Sequence, residues 1–271
     1  MTTLLRTEWL KMKKYNAFWW IIGITALSYP GINYMCFKVY QNITTTPSNA
    51  MDIAKAALGN PFAFPEVWRT TAFFSSLFVF IPAVVVIMLV SNEYTFRTHR
   101  QNVIDGWSRS QFITSKLLDV LMISLMITIL YAAVALVSGF ANQTRLIQDT
   151  WSQSYYIGLF FLQTFAQLSI AFFLGFLIKK AFLALGVFLF YFIVLENILV
   201  GVSEWKNLKF GEYLPLQISD KIIPRPAFWG KLDQAYQKTL DVVPQYVILT
   251  IILTSIIWIV CYRINNKRDL K

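Results

Sequence analysis

The residues with the most chemical potential lie in one charged stretch, Ser91–Leu118, which separates two long apolar runs. Its ionisable members are Glu93, Arg97, His99, Arg100, Asp105, Arg109 and Lys116. Mostly basic side chains, in a stretch with little glycine or proline, favour charge-assisted hydrogen bonds to an acidic surface. The stretch therefore indicates a rigid element on which another molecule docks.

The sequence lacks the residue patterns that enzymatic catalysis requires. His99 is the only histidine, and no HExxH pair or cysteine cluster is present. The phosphate-binding pattern GxxxxGK(S/T) is also absent, because the Gly230-Lys231 pair precedes Leu232. We therefore predict a protein that is not an enzyme, has no catalytic or metal site and binds no cofactor.

The elements that hold the charged stretch are apolar. The chain has 271 residues, of which 56% are hydrophobic and 14% are charged, whereas soluble domains carry about 25% charged residues. A bilayer is crossed by about 20 apolar residues, and only helices satisfy their backbone groups in such runs. This composition predicts an all-α integral membrane protein with one transmembrane domain and six spans, which are Phe18–Cys36, Phe73–Val90, Leu117–Phe140, Tyr155–Ile178, Ala181–Gly201 and Tyr246–Tyr262.

Basic residues set the predicted orientation. They concentrate before the first span, after the second, between the fourth and fifth, and in the tail. The positive-inside rule therefore places these segments and both termini in the cytoplasm, which predicts a multi-pass protein of the cell inner (cytoplasmic) membrane. The net charge of +10 is then a topology signal rather than a sign of nucleic-acid binding.

Three further elements follow from local pattern. Residues 1–17 place Leu5, Trp9 and Met12 on one face of a helix, which predicts either an amphipathic helix in the membrane interface or a basic tail that only sets topology. Pro30 and Pro82 predict kinks in the first two spans. Residues 202–245, the outer segment, mix apolar side chains with prolines and predict a folded or re-entrant cap.

Polar side chains inside the spans are candidates for a translocation path. They are Asn33, Gln163, Gln167, Glu196 and Asn197. Gln163 and Gln167 share a helical face, where hydrogen bonding between helices is the commoner role. Glu196 either lines a cavity or reaches water near the outer interface.

The charged stretch divides into two helices. Thr95–Ile104 predicts a short helix, and Asp105-Gly106 ends it. Ser108 with Gln111 is a capping-box pattern, so the next helix begins at Arg109 and continues into the third span.

This order of residues resembles the permeases of ABC type-2 exporters. Glu93 matches that family's acid, Thr95 or Thr98 its threonine, Gly106 its turn, Ser108-Arg109 its Ser-Arg pair and Lys116 its lysine. The six-span layout, the amphipathic N-terminal helix and the large last outer loop also fit. The short helix departs from the family in being rich in Arg, His and Gln instead of leucine, and Ser115 stands where glycine is common.

The resemblance implies a permease subunit that forms a translocation pathway as a dimer, with a second copy or a sister permease. Residues 91–116 then form a cytoplasmic coupling segment, which binds a separate ABC ATPase subunit that holds ATP and Mg. The predicted docking residues are Glu93, Tyr94, Thr95, Arg97, Thr98, Arg100, Gln101, Ile104, Gly106, Ser108 and Arg109. The alternative is a non-transport assembly or immunity factor whose outer segment binds a partner. A secondary transporter would predict internal repeats and several buried ionisable residues, and the sequence indicates neither.

Overall fold

The computed structural model describes residues 2–45, 60–142, 150–226 and 236–267, and these residues are helical or irregular with no strand among them. The Gly230-Lys231 pair lies outside the described residues. The α-helices are α1 Thr2–Lys14, α2 Asn16–Thr45, α3 Val67–Ser76, α4 Phe80–Thr95, α5 Thr98–Ile104, α6 Arg109–Ala141, α7 Tyr156–Ile178, α8 Ala181–Phe190, α9 Glu196–Trp205, α10 Pro215–Asp220, α11 Tyr236–Asp241 and α12 Val243–Lys267.

Four helices in the described residues are long and apolar enough to cross a membrane, namely Arg109–Ala141, Tyr156–Ile178, Ala181–Trp205 and Thr239–Lys267. The pair α3 and α4, bent by 51°, gives a fifth span if it is counted as one. The predicted six-span count is thus met only in part. The predicted first span lies within α2, whose Ser28, Pro30, Gly31 and Asn33 reduce its apolar character.

The bundle is built around α7, which packs against α3, α4, α6, α8 and α12. Tyr131 of α6 stacks on Phe160 with ring centroids 4.4 Å apart. At the opposite end of α7, a Cβ added to Gly175 would lie 2.6 Å from Val90 Cγ1 and 3.4 Å from Ile87 Cα. Glycine therefore allows α4 and α7 to approach more closely than any other residue would.

The two prolines of the first spans lie in different settings. α2 continues through Pro30 as far as Thr45, so the kink predicted there stays a prediction. The bend of the second span lies at residues 77–79, before Pro82. Pro82 belongs to the first turn of α4, where the N–H that proline lacks would have no partner within the helix anyway.

Span five contains a π-helical turn, Tyr191–Leu195, directly before α9. The outer segment then forms a 3₁₀ helix, Phe210–Tyr213, and α10, which packs against α7 and α12. Ile218, Ile222 and Tyr246 make a small apolar cluster at this contact. The described part of this segment therefore packs on the bundle through α10.

Candidate functional site

The coupling segment begins with a reversal of the backbone. α4 continues to Thr95, and Arg97 then adopts a left-handed conformation with φ 56° before α5 starts at Thr98. The predicted helix Thr95–Ile104 is therefore divided at Phe96-Arg97, a break that no glycine or proline signals. Gly106, with φ 95°, ends the turn after α5.

The predicted capping box at the start of α6 is present. Ser108 Oγ accepts from the Gln111 backbone N–H at 3.2 Å, and Gln111 Oε1 accepts from the Ser108 backbone N–H at 2.8 Å. Because such a cap satisfies otherwise unpaired N–H groups, it fixes where α6 begins.

The predicted docking residues differ in their exposure. Arg100 and Arg109 are half-buried, as is Tyr94, and Glu93 is buried. Phe96 and Ile104 expose 72% and 77% of their surface at the two ends of α5. The exposed members of the predicted set are Thr95, Arg97, Thr98, Gln101, Ile104, Gly106 and Ser108. α5 thus presents an apolar residue at either end of a polar, basic surface.

At the start of α5, Thr98 Oγ1 donates to Glu93 O at 3.4 Å, and His99 Nδ1 lies 3.1 Å from the same carbonyl oxygen. The Glu93 side chain belongs to a largely buried group of charges, the Lys116 cluster, formed by Glu8, Lys11, Glu93, Lys116 and Asp119. Lys116 Nζ lies 2.6 Å from Glu8 Oε2, 2.7 Å from Glu93 Oε1 and 3.0 Å from Asp119 Oδ2. Lys11 Nζ adds contacts of 2.8 Å to Glu8 Oε1 and 3.1 Å to Glu93 Oε1. The cluster joins α1, α4 and α6.

Two lysines serve three carboxylates in this cluster. Burial raises the pKa of Glu8, but the charges of Lys116 and Lys11 outweigh burial and hold that pKa at about 2. Glu93 Oε2 and Asp119 Oδ1 are buried without a hydrogen-bond partner. Since an unpaired buried charge costs several kcal/mol, each carboxylate depends on Lys116 remaining in place.

The coupling segment also contacts two other parts of the bundle. Lys179, in the turn between α7 and α8, places Nζ 5.0 Å from the ring centroid of Tyr94. Arg109 Nη1 donates to the Asn266 carbonyl at 2.9 Å, and Asn265 Nδ2 donates to the Arg109 carbonyl at 2.8 Å. The helices on either side of α5 are therefore joined to other parts of the bundle, α4 to the α7–α8 turn and the start of α6 to the end of α12.

Three of the predicted path residues meet at α10, at the other end of the bundle. Gln163 and Gln167 both donate to Asp220 Oδ1, at 2.8 and 2.7 Å. Glu196 Oε1 accepts from the Gln217 backbone N–H at 2.7 Å, so this carboxylate caps the start of α10.

The other two predicted path residues lie elsewhere. Asn33 donates to Tyr29 O and Ser75 Oγ, between α2 and α3. Asn197 is exposed and bonds to carbonyls of its own helix. The five predicted residues therefore do not form one continuous lining.

Sequence reasoning missed Glu8, Asp119, Asp220 and Phe96. One signal was available, because Asp119 follows Lys116 by one helical turn inside an apolar stretch, where a charge calls for a partner. Nothing in the sequence pairs Glu8 with residues so distant along the chain.

The described residues contain no group of side chains that could hold a metal ion. Several long apolar helices and a buried ionic cluster under a short surface helix define a multi-pass membrane protein. The chain belongs to the ABC-2 family, because the sequence model described as ABC-2 family transporter protein matches residues 4–195. It is thus a transmembrane ABC transporter permease, the membrane component rather than the ATPase. No curated protein shows significant similarity to the chain.

Proposed function

We propose that this chain is the permease subunit of an ATP-driven exporter, coupled to a separate ATPase subunit that holds ATP and Mg. The single observation that supports this most is the position of α5, an exposed helix whose Thr98 and His99 contact the backbone carbonyl of Glu93. The Glu93 carboxylate in turn belongs to the buried ionic cluster that joins α1, α4 and α6. A surface helix that is anchored in this way transmits force to the spans.

Docking would use the exposed side of α5. Phe96 and Ile104, which expose 72% and 77% of their surface on either side of the polar residues of α5, would supply two apolar anchors. Arg97 and Gln101 lie exposed near and within the helix and suit an acidic groove. The ATPase surface that fits is therefore an acidic groove flanked by two apolar pockets.

Transmission would use the Lys116 cluster. Lys116 and Asp119 belong to α6, Glu93 to α4, and Glu8 and Lys11 to α1. Because separating these charges would leave carboxylates unpaired in the interior, the three helices move together rather than slide past one another. A push on α5 therefore reaches α4 and α6 as a unit.

We further propose that α2 is the sixth span, with both termini in the cytoplasm of a cell inner membrane. One face of α2 exposes a row of apolar side chains suited to lipid, namely Trp19, Trp20, Ile24, Leu27, Tyr34, Met35 and Val39. The basic residues around α1 and the α7–α8 turn then all face the cytoplasm.

The translocation pathway would form between two permeases. Only 17% of the apolar window of span Ala181–Trp205 and 22% of that of Thr239–Lys267 are buried, against 56% for α7. These two spans therefore offer surface to a second copy or a sister permease as well as to lipid. Gln163 and Gln167 remain our candidates for the outer end of the path.

Co-purification tests the proposal. The ATPase encoded beside this chain should co-purify with it, and Phe96→Asp or Ile104→Asp should reduce its yield at least tenfold. Trp205→Asp is the matched control, because Trp205 is an equally exposed apolar residue at the opposite end of the bundle. ATPase binding that survives both coupling-segment variants would refute docking through α5. Binding of a different partner through residues 202–245 alone would instead favour an assembly or immunity factor.

A further inference from the structure

The outer segment contains a carboxylate without a counter-ion. Asp220, at the end of α10, is partly buried, and none of the ion pairs among the described residues includes it. The adjacent Lys221 turns instead to Glu212 Oε2 at 3.4 Å and to the Tyr246 hydroxyl at 3.2 Å. Among the described side chains, the donors to Asp220 are the amides of Gln163 and Gln167.

The polar side chains around Asp220 have too few hydrogen-bond donors for their acceptors. Gln163 and Gln167 each give an N–H to Asp220 Oδ1, yet Oε1 of both glutamines is buried without a partner. Unpaired buried oxygens of this kind cost roughly 1–3 kcal/mol each. The site thus holds more acceptors than donors.

We propose that Asp220 is a proton-binding site, and that the bound proton holds α10 against α7. A proton on Asp220 converts one acceptor into a hydroxyl donor. After a half-turn of the Gln163 amide, its Oε1 occupies the present place of Nε2, 2.8 Å from Asp220 Oδ1, and accepts from this hydroxyl. Gln167 meanwhile keeps its bonds to Asp220 Oδ1 and Ser219 Oγ. No atom is gained or lost besides the proton, which comes from water.

The position of Asp220 gives this proton a mechanical consequence. α10 is fixed at its start by Glu196, in its middle by Thr250 Oγ1, which donates to Ile218 O at 3.3 Å, and at its end by Asp220. These contacts reach α9, α12 and α7 respectively. Release at Asp220 would free the end of α10 and expose the apolar cluster of Ile218, Ile222 and Tyr246.

The direction of the pH effect follows from linkage. Burial raises the pKa of Asp220 from 3.8 to about 6, while the bonds from Gln163 and Gln167 lower it and the charge of Glu196 raises it. The docked state therefore binds the proton more tightly than the undocked state. Acid stabilises docking, and this stabilisation is lost as the pH rises through about 6.

Other titratable groups surround α10 and must be separated from Asp220. Glu196 faces it from α9 and Tyr191 from the π-helical turn, while Tyr246 faces it from α12. Glu212 and Tyr213 belong to the preceding 3₁₀ helix, and Lys221 follows α10 directly. From α7, the amides of Gln163 and Gln167 and the apolar side chains of Leu159 and Leu162 face α10, and none of these four side chains titrates.

A buried cysteine reports the docking of α10. In the full chain in lipid nanodiscs, with Cys36→Ala and Cys261→Ala, the substitution Ile222→Cys places a thiol at a site with 0% exposure. The rate of its reaction with a dithiodipyridine reagent is divided by the rate measured for Tyr213→Cys, a half-exposed site in the same segment. This division removes the intrinsic pH dependence of thiol reactivity. The normalised rate should fall about tenfold between about pH 7.5 and about pH 5.

The variant Asp220→Asn distinguishes the proposal from simple damage. Asparagine supplies the missing donor permanently, so the normalised rate should be low and independent of pH. A variant that merely disrupted α10 would raise the rate instead. Glu212→Gln, the control, should keep the wild-type pH profile.

Three outcomes would overturn the proposal. They are a wild-type rate that does not change with pH, an Asp220→Asn variant that keeps the pH dependence, and a faster reporter in that variant. Loss of the pH dependence in Glu196→Gln together with its survival in Asp220→Asn would assign the proton to Glu196. None of these outcomes depends on ATPase binding, so the proposed function is tested separately.

Discussion

Lys116 is the side chain near the coupling segment that forms ion pairs with three carboxylates. Its ammonium group lies within 3.0 Å of carboxylates from three different parts of the sequence, and 3% of its side chain is exposed. Its three protons match three acceptors. This geometry suits the compact ammonium group of lysine. The planar guanidinium of arginine would instead favour bidentate hydrogen bonds to a single carboxylate.

Lys116→Met should destabilise the protein by roughly 3–5 kcal/mol, because it leaves buried carboxylates without a cation. The change in the free energy of unfolding is measured by titrating the protein, in a mild detergent, with a denaturing detergent. Lys11→Met is the matched control, since the Lys11 side chain is 34% exposed and its loss should cost about 1 kcal/mol or less.

Neutralising the carboxylates tests the cause of that loss. Glu8→Gln, Glu93→Gln and Asp119→Asn, added to Lys116→Met, should recover most of the stability, because no buried charge then remains unpaired. If the quadruple variant is less stable than Lys116→Met alone, packing rather than charge determines the effect.

At the scale of elements, Glu8, the one acidic residue of α1, joins this helix to Lys116 of α6, while Lys11 joins it to Glu93 of α4. Glu8 is buried, and its ionised form is favoured because its pKa falls from 4.5 to about 2. A lowered pKa stabilises the docked helix above pH 4.5, and that stabilisation is lost as the pH falls towards about 2. Docking of α1 is therefore insensitive to pH near neutrality, unlike the docking that we propose for α10.

Glu8→Gln should release α1 at neutral pH. Hydrogen exchange of the α1 amides should accelerate at least tenfold, with little further change on acidification to about pH 4. Lys13→Gln, which replaces an exposed residue of the same helix, should leave exchange unchanged. Protection of α1 that is equal in Glu8→Gln and wild type would show that apolar packing of Met12 holds the helix instead.

The contact between α4 and α7 depends on Gly175. Gly175→Ala should cost about 1–3 kcal/mol, because the new methyl group overlaps Val90. Val90→Ala should restore much of this loss when combined with it. Gly158→Ala, in the same helix with open space around it, should be neutral or slightly stabilising. Unfolding midpoints of the four variants provide the measurement.

The elements that sequence predicted well are those set by local rules. The capping box depends on residues three apart, and the apolar runs of the later spans exceed bilayer thickness. The break at Phe96-Arg97 carries no local signal, because its left-handed residue is an arginine. The Lys116 cluster and the Asp220 site arise from packing between distant segments, which a single sequence does not encode in a readable pattern.

At the scale of the whole molecule, two polar sites lie at opposite ends of the bundle. The Lys116 cluster falls within the part that matches the ABC-2 family, residues 4–195, whereas Asp220 and α10 follow it. α7 connects the two ends, because it contacts α4 near Gly175 and α10 through Gln163 and Gln167. A force applied at α5 has a continuous packed route to the cap.

This arrangement predicts that binding of the ATPase and transmission of its movement to the bundle can be abolished by different mutations. Ile104→Asp should abolish co-purification of the ATPase, whereas Glu8→Gln should preserve it, because Glu8 is buried beneath the docking surface. In the Glu8→Gln complex, ATP should no longer change the reactivity of the Ile222→Cys reporter, since α1 no longer moves with α4 and α6. The wild-type complex should show an ATP-dependent change. An ATP response that persists in Glu8→Gln would mean that force passes through the Lys179 and Arg109 contacts instead, and Arg109→Gln would then be the variant that loses it.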